Sequence, residues 1–542
     1  MRKTLLIILL LFFISCRQEI IYEPAYHNGE VSVLTQHNDH YRSGLNSHEK
    51  ILNTSNVNSK QFGKLFSIPV DDQIYAQPLI VANLRMSDSL DNVVYIATVN
   101  NTVYACNASD GKVFWKRNYT QPGMRPVKNS DMTGACSGNY QDFSGNMGIV
   151  GTPVIDSNSK TMYFVARSVS NQDFVEYFHA IDIITGADKP GSPVKITATY
   201  PGGGDGSVNN VLSFDAQREN QRQGLTLLNG IVYVTFAGHC DWAPYHGWIL
   251  GYDAKSLQQK IVFNTTPEGS DGGIWESGMG LATDNEGNIY AAIGNGTVGV
   301  KGDPTNLINR GESALKLVPS GNTLQIISYF TPNNFQYLED YDYDYGSMGA
   351  MLIPNSDYFL TGGKDGNLYL LDKDNMGDYS PTANHNWQMI SLGADAMLHA
   401  QPAYYKGKNG EYIYVWTEND QLRAFPFDRN TNRLDVGNQK VSSISGPTGE
   451  SGADISTSSN GDSTGSGIVW ASYPFTGNAN QLTQPGILRA FDAEDVTKEL
   501  WNNHLNPDDD AGNFAKFCSP TIANGKVYLA TFSRQLVVYG LK

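Results

Sequence analysis

Residues 237 to 253 read AGHCDWAPYHGWILGYD. The stretch holds His239, His246, Cys240, Asp241, Trp242, Trp248, Tyr245 and Tyr252. Imidazole and carboxylate groups ligate zinc or copper. Imidazole and phenol serve as general bases, and large rings stack on sugars. The His239–Asp241–His246 spacing matches no metal signature, and catalytic zinc asks for three protein ligands with outer support. No metal site is therefore assigned. Two further groupings stand out. Trp275 and Glu276 in GGIWESGMG offer a stacking ring and an oxygen ligand, and YLEDYDYDYG (337 to 346) alternates Tyr341, Tyr343 and Tyr345 with acids. The DxD in the latter meets only the first positions of a calcium loop, so the run reads as a solvated acidic loop.

Bulk properties narrow the field. The 542 residues are 40% hydrophobic and only 17% charged, which favours a folded body over a disordered chain. The net charge of -16 excludes a nucleic-acid partner, which needs a Lys/Arg surface. Arg2 and Lys3 precede an apolar run from Leu5 to Ile14, too short to cross a bilayer and suited to a signal peptide. Its ending, FISC, resembles a bacterial lipoprotein signal, although Phe13 stands where Leu is usual. That implies a signal peptide over 1–15 and a fatty-acylated (palmitate) Cys16, followed by a tether and entry segment over 16–60. It also implies export and anchoring to the cell envelope, at the outer membrane, facing the periplasm or the surface. The other cysteines, Cys106, Cys136, Cys240 and Cys518, show no CxxC or CxxCH spacing, and four cysteines allow three pairings.

Internal repetition organises the rest. VVYIATVNNTVYACNASDGKVFWKRN (93 to 118) reads as three strands joined by tight polar turns. Its second strand recurs in FHAIDIITG, ILGYDAKS, ALKLVPSG, LYLLDKDN, LRAFPFDRN, LRAFDAED and LVVYGLK, making eight copies. Opening strands such as AQPLIVAN, GTPVIDSN, GLTLLNG and AQPAYYKG precede them. Units of about 60 residues exceed the roughly 40–45 of a WD40 blade. The pattern predicts an all-β, eight-bladed β-propeller over 61–542, with seven blades as the alternative. The last unit stops after three strands, and FGKLFSIPV (62 to 70) supplies the fourth, closing the ring.

VYACNASDGKVFW resembles the tryptophan-docking repeat of quinoprotein alcohol dehydrogenases. Segments including FGKLFSIPVDDQIYAQPL, PYHGWILGYDAKSLQ, GGIWESGMG and GGKDGNLYLLDKDNMG resemble the wider PQQ-binding-like propellers from about residue 35 onward. That resemblance implies PQQ held beside Ca²⁺ by carboxylate and amide oxygens, a catalytic aspartate and commonly a disulfide between adjacent cysteines. No two cysteines are adjacent here, and fold does not dictate function.

In such a ring, loops between blades share a face with loops between second and third strands. The long insertions 119–148, 201–223, 237–247, 296–312, 332–346 and 475–485 collect on that face, which is therefore the working face. Cys136 and Cys240 belong to its loops and are the expected disulfide. Three uses follow, in order of preference. The first is binding of a glycan, small ligand or envelope partner by a monomer, through Arg42, Gln77, Asp241, Trp242, Trp275, Glu276 and Gln401. The second is a polysaccharide lyase or hydrolase, with His239, Tyr245, His246 or His399 as base or acid and Arg42, Arg125, Arg218, Arg222 and Arg310 as clamps. The third is a PQQ-dependent dehydrogenase. No cofactor is assigned from the residues themselves. Replacing Cys16 by Ser is expected to move the protein from the membrane to the soluble fraction and to abolish palmitate labelling.

Overall fold

The computed structural model describes residues 26–27, 29–171 and 173–542. The signal peptide and Cys16 lie outside them. Eight antiparallel sheets are arranged as blades, each with an inner strand followed outward by its chain successors. Blade one comprises Leu79–Met86, Ser89–Thr98, Thr102–Asn107 and Val113–Asn118. Blade eight comprises Thr521–Ala523, Lys526–Leu529 and Gln535–Leu541, and its outer strand is Phe62–Pro69. The chain ends thus meet in one sheet, which leaves no open seam. The seam is packed as well as hydrogen-bonded: the Phe62 ring lies 4.9 Å from Trp501 and 5.4 Å from Trp470 of blade seven.

Burial explains the strand composition. Middle strands are sandwiched between neighbouring blades, so nine of the ten residues of Thr161–Ser170 are buried and no polar alternation survives. The outer Val113–Asn118 has no buried residue. Neighbouring blades are docked by Trp115, whose Nε1 donates to Ile183 O at 3.1 Å. Gly186 has φ +68, and a Cβ there would sit 2.8 Å from that indole, so the turn needs a glycine on both counts.

Residues 33 to 49 do more than enter the fold: they form a hub that touches all eight blades. Val33 exchanges backbone hydrogen bonds with Ile80 of blade one, and Leu34 O accepts from Ile155 of blade two. His40 O, Tyr41 O, Ser43 O and Gly44 O accept from Thr283, Leu352, Tyr404 and Thr457, the inner strands of blades four to seven. Leu45–Asn46 pairs in parallel with blade seven, and Asn46 Nδ2 donates to Ile522 O of blade eight. Arg42 ties the hub together. Fully buried, its guanidinium donates to Gly280 O, Leu281 O, Thr35 Oγ1, Gln36 O and Thr226 Oγ1, the last in blade three. Burial pulls its pKa down to about 10, so it stays charged at neutral pH. Arg42→Ala would strand several buried carbonyl groups, and an unfolding free energy lower by about 3–5 kcal/mol is expected from urea titration.

Candidate functional site

Five of the six long insertions send at least one residue to a single pocket of about 530 Å³ on their face. Cys136 and Asp142 come from 119–148, Asn220 and Arg222 from 201–223, and Cys240 and Asp241 from 237–247. Tyr341, Asp342, Tyr343 and Asp344 come from 332–346, and Asn480 and Gln481 from 475–485. Trp275, Lys364, Met397, His399 and Glu450, on shorter connections, complete it. Cys136 and Cys240 are joined by a disulfide across 104 residues, which fastens the excursion before blade two to blade three. That disulfide and Trp275 border the same pocket.

The electrostatics are lopsided. Five carboxylates line the pocket against two permanent cations, Arg222 and Lys364. Lys364 Nζ lies 2.8 Å from Asp342 Oδ1 and 2.6 Å from Asp344 Oδ2, and 5.6 Å from the centre of the Trp275 ring. Burial works against the lysine charge, but the two aspartates outweigh it and hold its pKa above the usual range. Asn295 binds the same pair: its N–H donates to Asp344 Oδ1 at 2.7 Å and its Nδ2 to Asp342 Oδ1 at 2.8 Å. Its own Oδ1 is buried without a partner. Crowding by protein, then by Asp344 and Asp342, pushes Asp241 up to about 6, although the side chain opens to water that screens part of the effect. Burial and surrounding carboxylates push Glu339 to about 7. Elsewhere in the lining, Asp142 is held below the carboxylate range despite burial, because Lys516 (2.6 Å) and Arg222 (3.3 Å) both bind it.

Of the residues singled out from sequence, Asp241, Trp275 and His399 line the pocket, as do Arg222 and both cysteines. The others are placed elsewhere and have structural partners. His239 is fully buried, bonded through Nδ1 to Tyr140 Oη (2.7 Å) and through Nε2 to Arg167. His246 spends its nitrogens on Thr266 Oγ1 and Asp205 O, both at 2.9 Å. Tyr245 is buried and donates to Asp241 Oδ1 at 2.8 Å. Trp242 packs on Gly134 beneath the Arg218 guanidinium (4.6 Å). Arg42, Gln77 and Gln401 belong to the hub: Gln77 Oε1 accepts from His37 N, and Gln401 Oε1 accepts from Gln36 Nε2. Glu276 is buried and accepts from Ala292 N at 2.8 Å. Arg310 is buried under its own loop, donating to Pro304 O at 2.9 Å, and Arg125 pairs with Asp131 at 2.6 Å.

The acidic run is corrected by the structure. Phe335–Tyr341 is a helix, Asp344 is buried and Tyr345 is fully buried, so this segment forms one wall of the pocket. Lys364 went unnoticed because GGKDGN reads as a turn; its place in a between-strand loop of the working face was the available signal.

No family model and no curated sequence matches this chain. Solved structures do. The quinohemoprotein alcohol dehydrogenase of Pseudomonas putida HK5 matches over 94% of this chain and 80% of its own, at 12% identity and a TM-score of 0.59. That of Comamonas testosteroni gives the same coverages, 12% identity and 0.55. A europium-containing methanol dehydrogenase matches over 94% and 98%, at 11% identity and 0.57. The fold is the PQQ-type β-propeller. At such identities the likeness concerns the fold alone, and the site must be judged on its own residues.

The raised carboxylates make a pH prediction. Their folded-state pKa values lie above the unfolded ones, so they cost stability as pH rises from about 4 to about 7. Asp241→Asn, which keeps an acceptor for Tyr245, is expected to melt above wild type at pH 7. That advantage should vanish as pH falls through 6 towards 4, as thermal scans would record.

Proposed function

We propose that this pocket binds a small planar cofactor of the pyrroloquinoline quinone type together with a multivalent cation, and that the protein is an exported, lipid-anchored oxidoreductase. The observation that carries this is the convergence of the Trp275 indole, the Cys136–Cys240 disulfide and the Lys364–Asp342–Asp344 cluster on one pocket. An indole is a stacking surface for a flat ring. Lys364 and Arg222 are donors for carbonyl and carboxylate oxygens. The resemblance puts a disulfide of adjacent cysteines beside the cofactor; here two remote cysteines bring one to the pocket instead.

The fit of a cation can be tested on the donor set. Asp342, Asp344 and the orphaned Asn295 Oδ1 are hard oxygen donors of the kind that suit calcium-like ions. Among the described residues no three His, Cys, Asp or Glu side chains stand in ready-made metal geometry, and the Lys364 ammonium lies against both aspartates. A bound cation would be held by Asp342 and Asp344 in place of the Lys364 ammonium, which would then be open to an anionic ligand. The surplus of pocket carboxylates favours an ion of charge two or three, and a quinone acid alone would be repelled. When bound, such a quinone accepts two electrons from a reduced substrate such as an alcohol. The chain's own residues stack the ring, neutralise its acid groups and balance the cation.

A second reading, glycan binding, is favoured by Tyr337 and Tyr341. They are 50% and 64% exposed, with rings 4.7 Å apart, and Tyr341 borders the pocket. Titration with PQQ in the presence of Ca²⁺ or La³⁺ separates the two. Saturable, cation-dependent quenching of tryptophan fluorescence is expected, at least about tenfold weaker in Trp275→Ala, in keeping with a stacking loss of 1–3 kcal/mol. Absence of binding with both cations, alongside retention of a neutral oligosaccharide, would replace the cofactor reading with the glycan one.

A further inference from the structure

His399 lines the same pocket, and one of its ring nitrogens is already committed. Its Nδ1 is hydrogen-bonded to Glu418 Oε1. His399 is 5% exposed and Glu418 6%, so the pair is shielded from bulk water. The histidine comes from the connection into blade six, before Ala403–Gly407, and the glutamate from the turn between Gly410–Val415 and Gln421–Asp428. Two turns on the working face of one blade thus hold the two groups together. A carboxylate can only accept, so in the neutral ring the proton sits on Nδ1 and the lone pair on Nε2. Nε2 has no hydrogen-bond partner among the described residues. Nor is it among the buried polar atoms left unpartnered, so it opens into the pocket.

The contrast with the rest of the site is chemical. His239 and His246 have both ring nitrogens engaged. Asp342 and Asp344 each accept from Lys364 and from Asn295, so their lone pairs are largely taken. His399 lies 5.7 Å, ring centre to ring centre, from Trp275, inclined at 44°. A hydroxyl compound held in the pocket on the His399 side of that indole comes within reach of Nε2.

We infer that His399 is the general base of this pocket, taking the hydroxyl proton of an alcohol-type substrate, with Glu418 as its positioning residue. In the step, the substrate O–H bond breaks and an Nε2–H bond forms. The electron pair stays on the substrate oxygen, and the Glu418 carboxylate balances the imidazolium charge. No other bond changes. The inference rests on the reading of the pocket as a small-molecule redox site. It differs from the aspartate base implied by the resemblance to quinoprotein dehydrogenases.

The test uses the full chain with His399→Gln, Glu418→Gln and Glu418→Leu. In ¹⁵N-histidine-labelled wild type without cofactor, His399 is expected as the Nδ1–H tautomer, a signature lost in Glu418→Leu, which removes the acceptor. Diethyl pyrocarbonate should acylate His399 ahead of His239 and His246, as mapped by mass spectrometry. After loading with PQQ and Ca²⁺ or La³⁺, an alcohol panel with an artificial dye should show kcat lower by about 10²–10⁴ in His399→Gln. PQQ binding should be retained in that variant. Glu418→Gln should lower kcat with KM unchanged. An Nε2–H tautomer, or kcat of His399→Gln near wild type in a loaded protein, overturns the assignment. Failure of PQQ to bind wild type overturns the cofactor reading instead, and the tautomer and acylation results then decide His399 alone.

Discussion

Closing a ring of sheets leaves eight innermost strands converging on one axis, each with backbone groups that need partners away from water. Here the segment 33 to 49 meets that need, giving its carbonyl groups and side chains to one blade after another. Arg42 is the pin: one planar cation satisfies carbonyl groups on the hub itself and at the entry to blade four, and the Thr226 hydroxyl of blade three. The circumference is closed separately by Phe62–Pro69 in blade eight. Hub and seam lie within the same thirty-odd residues, so the position of every loop on the working face depends on that segment being seated.

That rigidity permits the pocket to be electrostatically uncomfortable. Aspartates and glutamates are pressed together around Lys364, several of them pushed up in pKa by burial and by one another. Isolated on flexible loops, they would move apart. The Cys136–Cys240 disulfide, the helix Phe335–Tyr341 and the hydrogen bonds of Asn295 prevent it. The cost is borne by the scaffold, in line with the general tendency for functional sites to store strain that the surrounding structure compensates. The network of Lys516 and Arg222 with Asp142 and Glu450 beside the pocket is balanced instead, two cations to two carboxylates. A ligand entering the pocket therefore meets both a surplus of negative charge and a region where it is neutralised.

Much of the architecture was legible in the chain, for a physical reason. Each blade repeats the same burial problem, so apolar strand runs joined by tight polar turns recur, and the three-strand last unit finds its fourth strand at Phe62–Pro69. The working face was legible too, because tight turns leave no room for function and long insertions need a reason to exist. Individual residues were harder. Asp241 sits in one of those insertions; Trp275 and His399 lie on shorter connections and stood out only by residue type. Arg42, Gln77 and Gln401 have the composition of a polar ligand site but face the hub. His239 and His246 sit in an insertion yet are consumed by Tyr140, Arg167, Thr266 and Asp205.

The structure decided eight blades over seven, while the sequence alone determined the periodic strand pattern, the strand that closes the ring and the face where the insertions gather. These are local or additive properties, set by alternation, turn chemistry and chain order. Only the tertiary structure decided which polar groups remain available. Whether an imidazole has a free nitrogen, or a carboxylate a free lone pair, depends on what packs against it from blades far away in sequence. It is the distant partners, Glu418 for His399 and Lys364 for Asp342 and Asp344, that set which lone pairs stay open to the pocket.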